Sequence, residues 1–115
     1  MTLHNFIIKS NLEIVSKSSN TSVIIKEPFC CDLLSIAMSK IPSGAVWITV
    51  MGNINTLAVA SLTDTACIIL AEGVALDNTA IAKAKTENIT VLKTELPIFE
   101  TALMVHKLIN ENSHL

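Results

Sequence analysis

A chain of 115 residues, half of them apolar, holds one domain with a core of its own and has no room for a second. A formal charge of −2 with no run of Lys or Arg excludes a phosphate-backbone partner, which needs a basic face, so no nucleic acid is expected. No apolar run approaches the roughly 20 residues that cross a bilayer, and the start lacks a basic stretch followed by a long apolar one, so a chain off the membrane and without a signal peptide is expected.

In chain order, Leu3, Phe6, Ile7 and Ile8 predict a short amphipathic helix, capped by Thr2 and stopped at Asn11. Leu12 to Ser16 reads as a first strand. The polar cluster from Lys17 to Thr21 turns the chain into a second strand, Ser22 to Lys26, which Pro28 ends because it lacks a ladder N–H. Asp32 opens a helix to about Lys40, with an acid at the positive end of the dipole. Ile41, Pro42, Ser43 and Gly44 form the exit turn.

Three apolar runs follow, Val46 to Met51, Ala66 to Ala71 and Ile89 to Leu92, separated by helical segments. They are rich in Val, Ile and Thr and nearly free of charge, as strands covered on both faces are. Trp47 is expected in the core, with its indole N–H meeting a partner at a layer edge. Between the runs, Gly52, Asn53 and Ile54 turn the chain and Asn55 or Thr56 caps a helix through Leu62. Asp64 and Thr65 lead into the next strand, Gly73 turns, and Asp77 caps a helix from Asn78 to Glu87 with Ala80, Ile81 and Ala84 inward and Asn88 as its stop. Pro97 sits in the first turn of a last helix, where its missing N–H costs nothing. That helix carries Ile98, Ala102, Val105 and Ile109 at spacings of three and four and is expected to fray into Asn110 to Leu115. The alternation of strands and helices predicts an α/β fold: a single domain over 1–115, with a mainly parallel sheet covered by helices on both faces.

Over about Asn20 to Ile109 the chain resembles the DRTGG domain family. The resemblance is carried by Asp32-Leu33-Leu34-Ser35, Val46-Trp47-Ile48-Thr49, Asn55 with Ala58 through Asp64, and Ala84-Lys85 leading through Ile89 to Val91-Leu92 and Thr94. It implies a regulatory role, since such domains occur in phosphotransacetylases and CBS-domain pyrophosphatases and as stand-alone proteins near iron-only hydrogenase genes. The family also looks like the N-terminal, non-catalytic domain of HPr kinase/phosphorylase. Where its members carry the naming Asp-Arg-Thr-Gly-Gly segment, this chain has Asn20 to Lys26 with no glycine pair.

The residues themselves supply no catalytic set. Gly44, Gly52 and Gly73 are the only glycines and none precedes a Lys, so the phosphate loop a kinase requires is missing. His4, His106 and His114 are far apart, and Cys30 and Cys31 lack ligand spacing to any of them, so no metal and no cofactor is expected. Three cysteines, two of them adjacent, suit a reduced, cytoplasmic setting, with Cys67 as a small core residue. A nucleophile at Cys30 or Cys31 with His106 as base is the one enzymatic arrangement open to the chain, against the simpler reading of inert thiols.

The turn from Gly52 to Thr56 is the expected ligand contact. It follows a parallel strand and opens a helix, where N–H groups and the dipole favour an anion, although an ordinary capped turn would use the same residues. Gly52, Asn53, Asn55 and Thr56, with Asp64 and Thr94 from the family resemblance, form the candidate site. Two functions fit: a non-catalytic regulatory or accessory module that takes an adenine nucleotide or other phosphometabolite and reports to a protein partner, with a link to hydrogenase or energy metabolism, or a homodimerising interaction module without a ligand. A homodimer is expected in either case.

Overall fold

The structure, a computed structural model, describes residues 1–113. Its elements are α1 (Leu3–Ser10), β1 (Glu13–Ser16), β2 (Pro28–Cys30), α2 (Leu34–Lys40), β3 (Val46–Thr49), α3 (Ile54–Leu62), β4 (Cys67–Leu70), α4 (Asn78–Thr86), β5 (Val91–Lys93) and α5 (Ile98–Ser113). The sheet runs β1-β5-β4-β3-β2, with β1 antiparallel to β5 and the other pairs parallel. The expected α/β fold, a mainly parallel sheet between helices, is the one the chain adopts.

The order explains the layers. β2, β3, β4 and β5 advance in one direction, and right-handed crossovers then place α2, α3 and α4 on the same face. The opposite face falls to the first and last helices. Residues in register alternate between the two sides: Trp47, Ile68 and Val91 pack with Ala37, Leu57, Ala60, Ala80 and Ala84, whereas Ile48, Ile69 and Leu92 pack with Leu3, Phe6 and Val105. β3 and β4 are buried along their whole length, hence their unbroken apolar character. Trp47 is fully buried and its indole N–H donates to the Cys31 carbonyl at 3.0 Å, as the sequence led one to expect.

Several boundaries differ from expectation. In α1, Leu3, Phe6 and Ile7 face the core, but Ile8 lies a further 100° round the helix and is 62% exposed. Residues 22–26 are not a strand. Only an isolated bridge joins Ile24 to Thr2, and the chain here instead caps α1, the carbonyls of Val23 and of the preceding Thr21 accepting from the N–H groups of Leu3 and His4 at 2.8 Å each. Pro28 begins β2 rather than ending a strand: β2 is the sheet edge and Pro28 its first residue, a position where no ladder donor is needed. α2 starts at Leu34, because the Asp32 carboxylate is turned to β3 and Leu33 precedes the helix without a side-chain cap. The three central strands are each shorter than their apolar runs, and β5 is shifted to Val91–Lys93.

Punctuation residues act as expected. Thr2 Oγ1 accepts from Asn5 N–H, Asp77 accepts from Ala80 N–H at 2.8 Å, and Asn11 and Asn88 adopt left-handed φ of 54° and 60° just past α1 and α4. α5 stays helical to Ser113 where fraying was expected from Asn110; His114 and Leu115 lie outside the described residues. Among the described residues no helix is long and apolar enough to cross a membrane.

Candidate functional site

The carboxyl ends of the parallel strands meet three turns: 50–53 after β3, 71–77 after β4 and 94–97 after β5. They are laced together by backbone bonds. Gly73 N–H donates to the Thr94 carbonyl at 2.9 Å, Glu72 N–H to Leu96 at 2.9 Å, and Asp77 N–H to Gly52 at 3.4 Å. Gly52, Asn53, Asn55, Thr56 and Thr94 therefore share one edge of the sheet. Asp64 does not. It follows α3, which returns the chain to the amino-terminal edge, and there its carbonyl accepts from Gly44 N–H and its carboxylate from the Ser43 hydroxyl.

Within the shared edge each side chain has its own task. Asn53 caps α3, its Oδ1 accepting from the N–H groups of Asn55 at 3.0 Å and Thr56 at 3.3 Å. The expected cap, Asn55 or Thr56, is thus displaced by two or three residues: both belong to the helix. Thr56 is buried, and its hydroxyl donates to the Met51 carbonyl at 2.7 Å, closing the turn from inside. Asn55 is exposed on the first helical turn. Thr94 Oγ1 accepts from Leu96 N–H at 3.2 Å and shapes the approach to α5.

Gly52 is held by its neighbours. A Cβ built there would stand 2.5 Å from the Ala75 carbonyl oxygen and 3.2 Å from Val74, so the turn after β3 packs on the loop after β4 and only glycine permits it. The N–H groups of Gly52, Asn53 and Ile54, at the start of α3, make no hydrogen bond among the described residues.

Asp32 is the edge residue that sequence reasoning placed elsewhere. Its Oδ1 accepts from the Thr49 hydroxyl at 2.7 Å and the Val50 N–H at 3.0 Å, fixing a carboxylate where β3 ends. The helix begins only at Leu34 with Leu33 at its cap position, one residue too late for Asp32 to cap it, a boundary the sequence did not signal. With Glu72, Asp77 and Glu95 on the adjoining turns, the edge carries a cluster of acids around a small group of open N–H donors.

Among the described residues no hydrogen bond joins Cys30 or Cys31 to His106. Cys67 is buried in β4, and burial pushes its thiol up to about 12. Cys30 is exposed as a residue, yet its sulfur is partly desolvated; that desolvation, then the charges of Asp32 and Cys31, raises its pKa. Cys31 Sγ donates to the Leu33 carbonyl. His106, on α5, instead contacts Asn110 at 2.8 Å. Among the described residues no group of three or more His, Cys, Asp or Glu is placed to hold a metal ion.

No curated protein matches the chain. Among solved structures it resembles the CBS and DRTGG domains of the regulatory region of Clostridium perfringens pyrophosphatase, a structure complexed with the activator diadenosine tetraphosphate. The TM-score is 0.70 at 20% identity, over 90% of this chain and 45% of that one, so this chain spans less than half of its neighbour's length. At that identity the likeness is one of fold. The family model of the DRTGG domain matches residues 9–108, the whole sheet and all of its crossover helices. The chain belongs to the DRTGG domain family.

Proposed function

We propose that the chain is a non-catalytic regulatory or accessory module that binds an adenine nucleotide at the carboxyl edge of its sheet and passes the bound state to a protein partner. The observation that carries this reading is the turn at residues 52–54, three backbone N–H groups without partners among the described residues at the start of α3, where the helix dipole adds about half a positive charge. Support comes also from the neighbour in the solved structures, a regulatory region complexed with an adenine dinucleotide. The anionic group would meet the N–H groups of Gly52 to Ile54, with the Asn55 amide at its side. Asp32, anchored through one oxygen, would offer the other to a ribose hydroxyl. Thr56 and Thr94 hold the turns rather than the ligand, and Asp64 stands apart from this site.

The acids on the same edge oppose a bare polyphosphate, so the magnesium form of the nucleotide is the expected ligand. The test is a thermal-shift series with AMP, ADP, ATP and diadenosine tetraphosphate, each with and without magnesium. A ligand at a hundred times its dissociation constant adds about 2.7 kcal/mol, and Asn55→Ala should reduce the shift while leaving the unliganded melting temperature unchanged. No shift with any of the four sinks the nucleotide reading. ATP hydrolysis and HPr phosphorylation should both stay at background.

A second reading, a homodimerising module, draws on α2. This helix buries only Ala37 and leaves Ile36 and Met38 exposed, with Leu33 exposed just before it, next to the sheet-edge strand β2. Such a face suits a second copy of the chain.

A further inference from the structure

The amino-terminal edge of the sheet carries a groove of about 420 Å³ that the nucleotide reading leaves unused. The segment that caps α1 forms one wall, and the turns entering β3 and β4 form the other. A row of backbone bonds crosses it: Lys26 N–H donates to the Gly44 carbonyl at 2.9 Å, and Gly44 N–H donates to the Asp64 carbonyl at 3.0 Å. Lys26 and Asp64 thus flank Gly44 on either side.

The Lys26 stem and the Asp64 carboxylate are both placed by their neighbours. At Gly44, with φ +80°, a Cβ would meet Lys26 Cγ at 3.1 Å and Cδ at 3.2 Å, so the lysine stem lies directly over the glycine. Asp64 Oδ2 accepts from the Ser43 hydroxyl at 2.7 Å, which orients the carboxylate and leaves Oδ1 open. The two do not pair with each other: among the described residues the one salt bridge is Lys83–Glu87. Val23, Ile24 and Ala66 supply the apolar part of the lining, and Val23 and Ile24 are 36% and 54% exposed.

We propose that this groove binds a free α-amino acid with an apolar side chain, its carboxylate on Lys26, its ammonium on Asp64 and its side chain over Val23 and Ile24. The charge count selects this class. One cation and one anion complement a ligand that carries one of each, and such a ligand supplies the opposite charge that each lacks among the described residues. A phosphate ester would bring two negative charges to a single ammonium and set them against Asp64. A neutral sugar would leave both charges unmatched. The volume lies in the range of small-molecule sites.

The test is a titration of the isotopically labelled full chain with L-leucine, followed by the backbone amide signals of Gly44 and Thr65. Isoamylamine, which lacks the carboxylate, isocaproate, which lacks the ammonium, and inorganic phosphate serve as comparisons. L-leucine should shift both amides saturably, and each of the three comparisons should bind at least about tenfold more weakly, or about 1.4 kcal/mol. Lys26→Gln should erase the preference for L-leucine over isoamylamine, and Asp64→Asn the preference over isocaproate. Both variants should fold, since both residues are exposed and Asn tolerates the left-handed φ of 58° at Asp64. Absence of a saturable shift, phosphate binding as tight as that of L-leucine, or undiminished preference in both variants would overturn the proposal.

Discussion

Replacing Asp32 by Ala tests whether this acid serves β3 or α2. Thr49 is fully buried, its hydroxyl donates to Asp32 Oδ1 and its oxygen accepts from Met51 N–H at 3.2 Å. Without Asp32 the hydroxyl proton loses its acceptor inside the fold, a cost of about 1–3 kcal/mol. The Val50 N–H is at the surface and water replaces its partner, so it adds little. A loss near 2 kcal/mol follows, discounted from the charged-group range because Asp32 is itself exposed. For a chain of 115 residues, about 2.1 cal/mol/K per residue turns this into a fall of about 8 °C in melting temperature. Asp32→Asn, which keeps an acceptor oxygen, should lose less than half of that. The decisive assay is a double-mutant cycle with Thr49→Val, read by urea denaturation: the tie to β3 requires a coupling of at least about 1 kcal/mol. If the two losses add to within about 0.5 kcal/mol, Asp32 acts on the helix dipole of α2 instead, and the account of the β3 edge is wrong.

Asn53→Ala should cost about 1 kcal/mol through the lost cap of α3, whereas Asn55→Ala should leave the urea midpoint unchanged; equal losses would contradict the assignment of the cap. Burial lifts the Cys67 thiol from 9.0 to about 12, so its stability contribution is complete below pH 9.0. Above that the unfolded chain ionises while the folded one cannot, and stability should fall by up to about 1.4 kcal/mol per pH unit toward pH 12. Urea melts across that window should show this slope in the native chain and a shallower one in Cys67→Ala. If α2 seats a second copy, Ile36→Glu should convert a sedimenting dimer to monomer with little change in folding, and a monomer at all concentrations in the native chain removes that reading.

The fold was legible where burial on both faces writes itself into composition. Val46 to Thr49 and Cys67 to Leu70 have no polar alternation because helices cover each side, and Asp77, Asn11 and Asn88 punctuate helices by local chemistry alone. Residues 22–26 were misleading for the opposite reason. Their β-branched run has strand propensity, but only Ile25 reaches the core, and the backbone is spent on capping α1 and on Gly44, long-range choices that propensity does not encode. Around the candidate site, Asn53, Asn55 and Thr56 are all competent caps within four positions, and the sequence alone does not rank them. The place of Asp64 was readable. A residue between a crossover helix and the next parallel strand stands at the amino-terminal edge, away from residues that follow strands, and that topological rule outweighs a family motif that groups them.

β1 is the one strand that runs against the rest, and its exit is sewn to the far end of the chain: Ser18 N–H donates to Thr90 Oγ1 at 3.0 Å and Ser19 N–H to Asn88 Oδ1 at 2.8 Å. α1 likewise lies against α5. β1 therefore has no ladder partner until the last third of the chain exists, whereas Leu3 and Phe6 of α1 also pack on Ile48 and Ile69 in the middle of the sequence. The loops closing these contacts span about seventy residues, and their entropy must be paid before any bond is made. Order of assembly is written into this seam. The successive β-α-β units from β2 to β5 can consolidate from near neighbours, while β1 closes over the longest loops, and its amides should exchange ahead of those of β3 and β4 when the native molecule breathes.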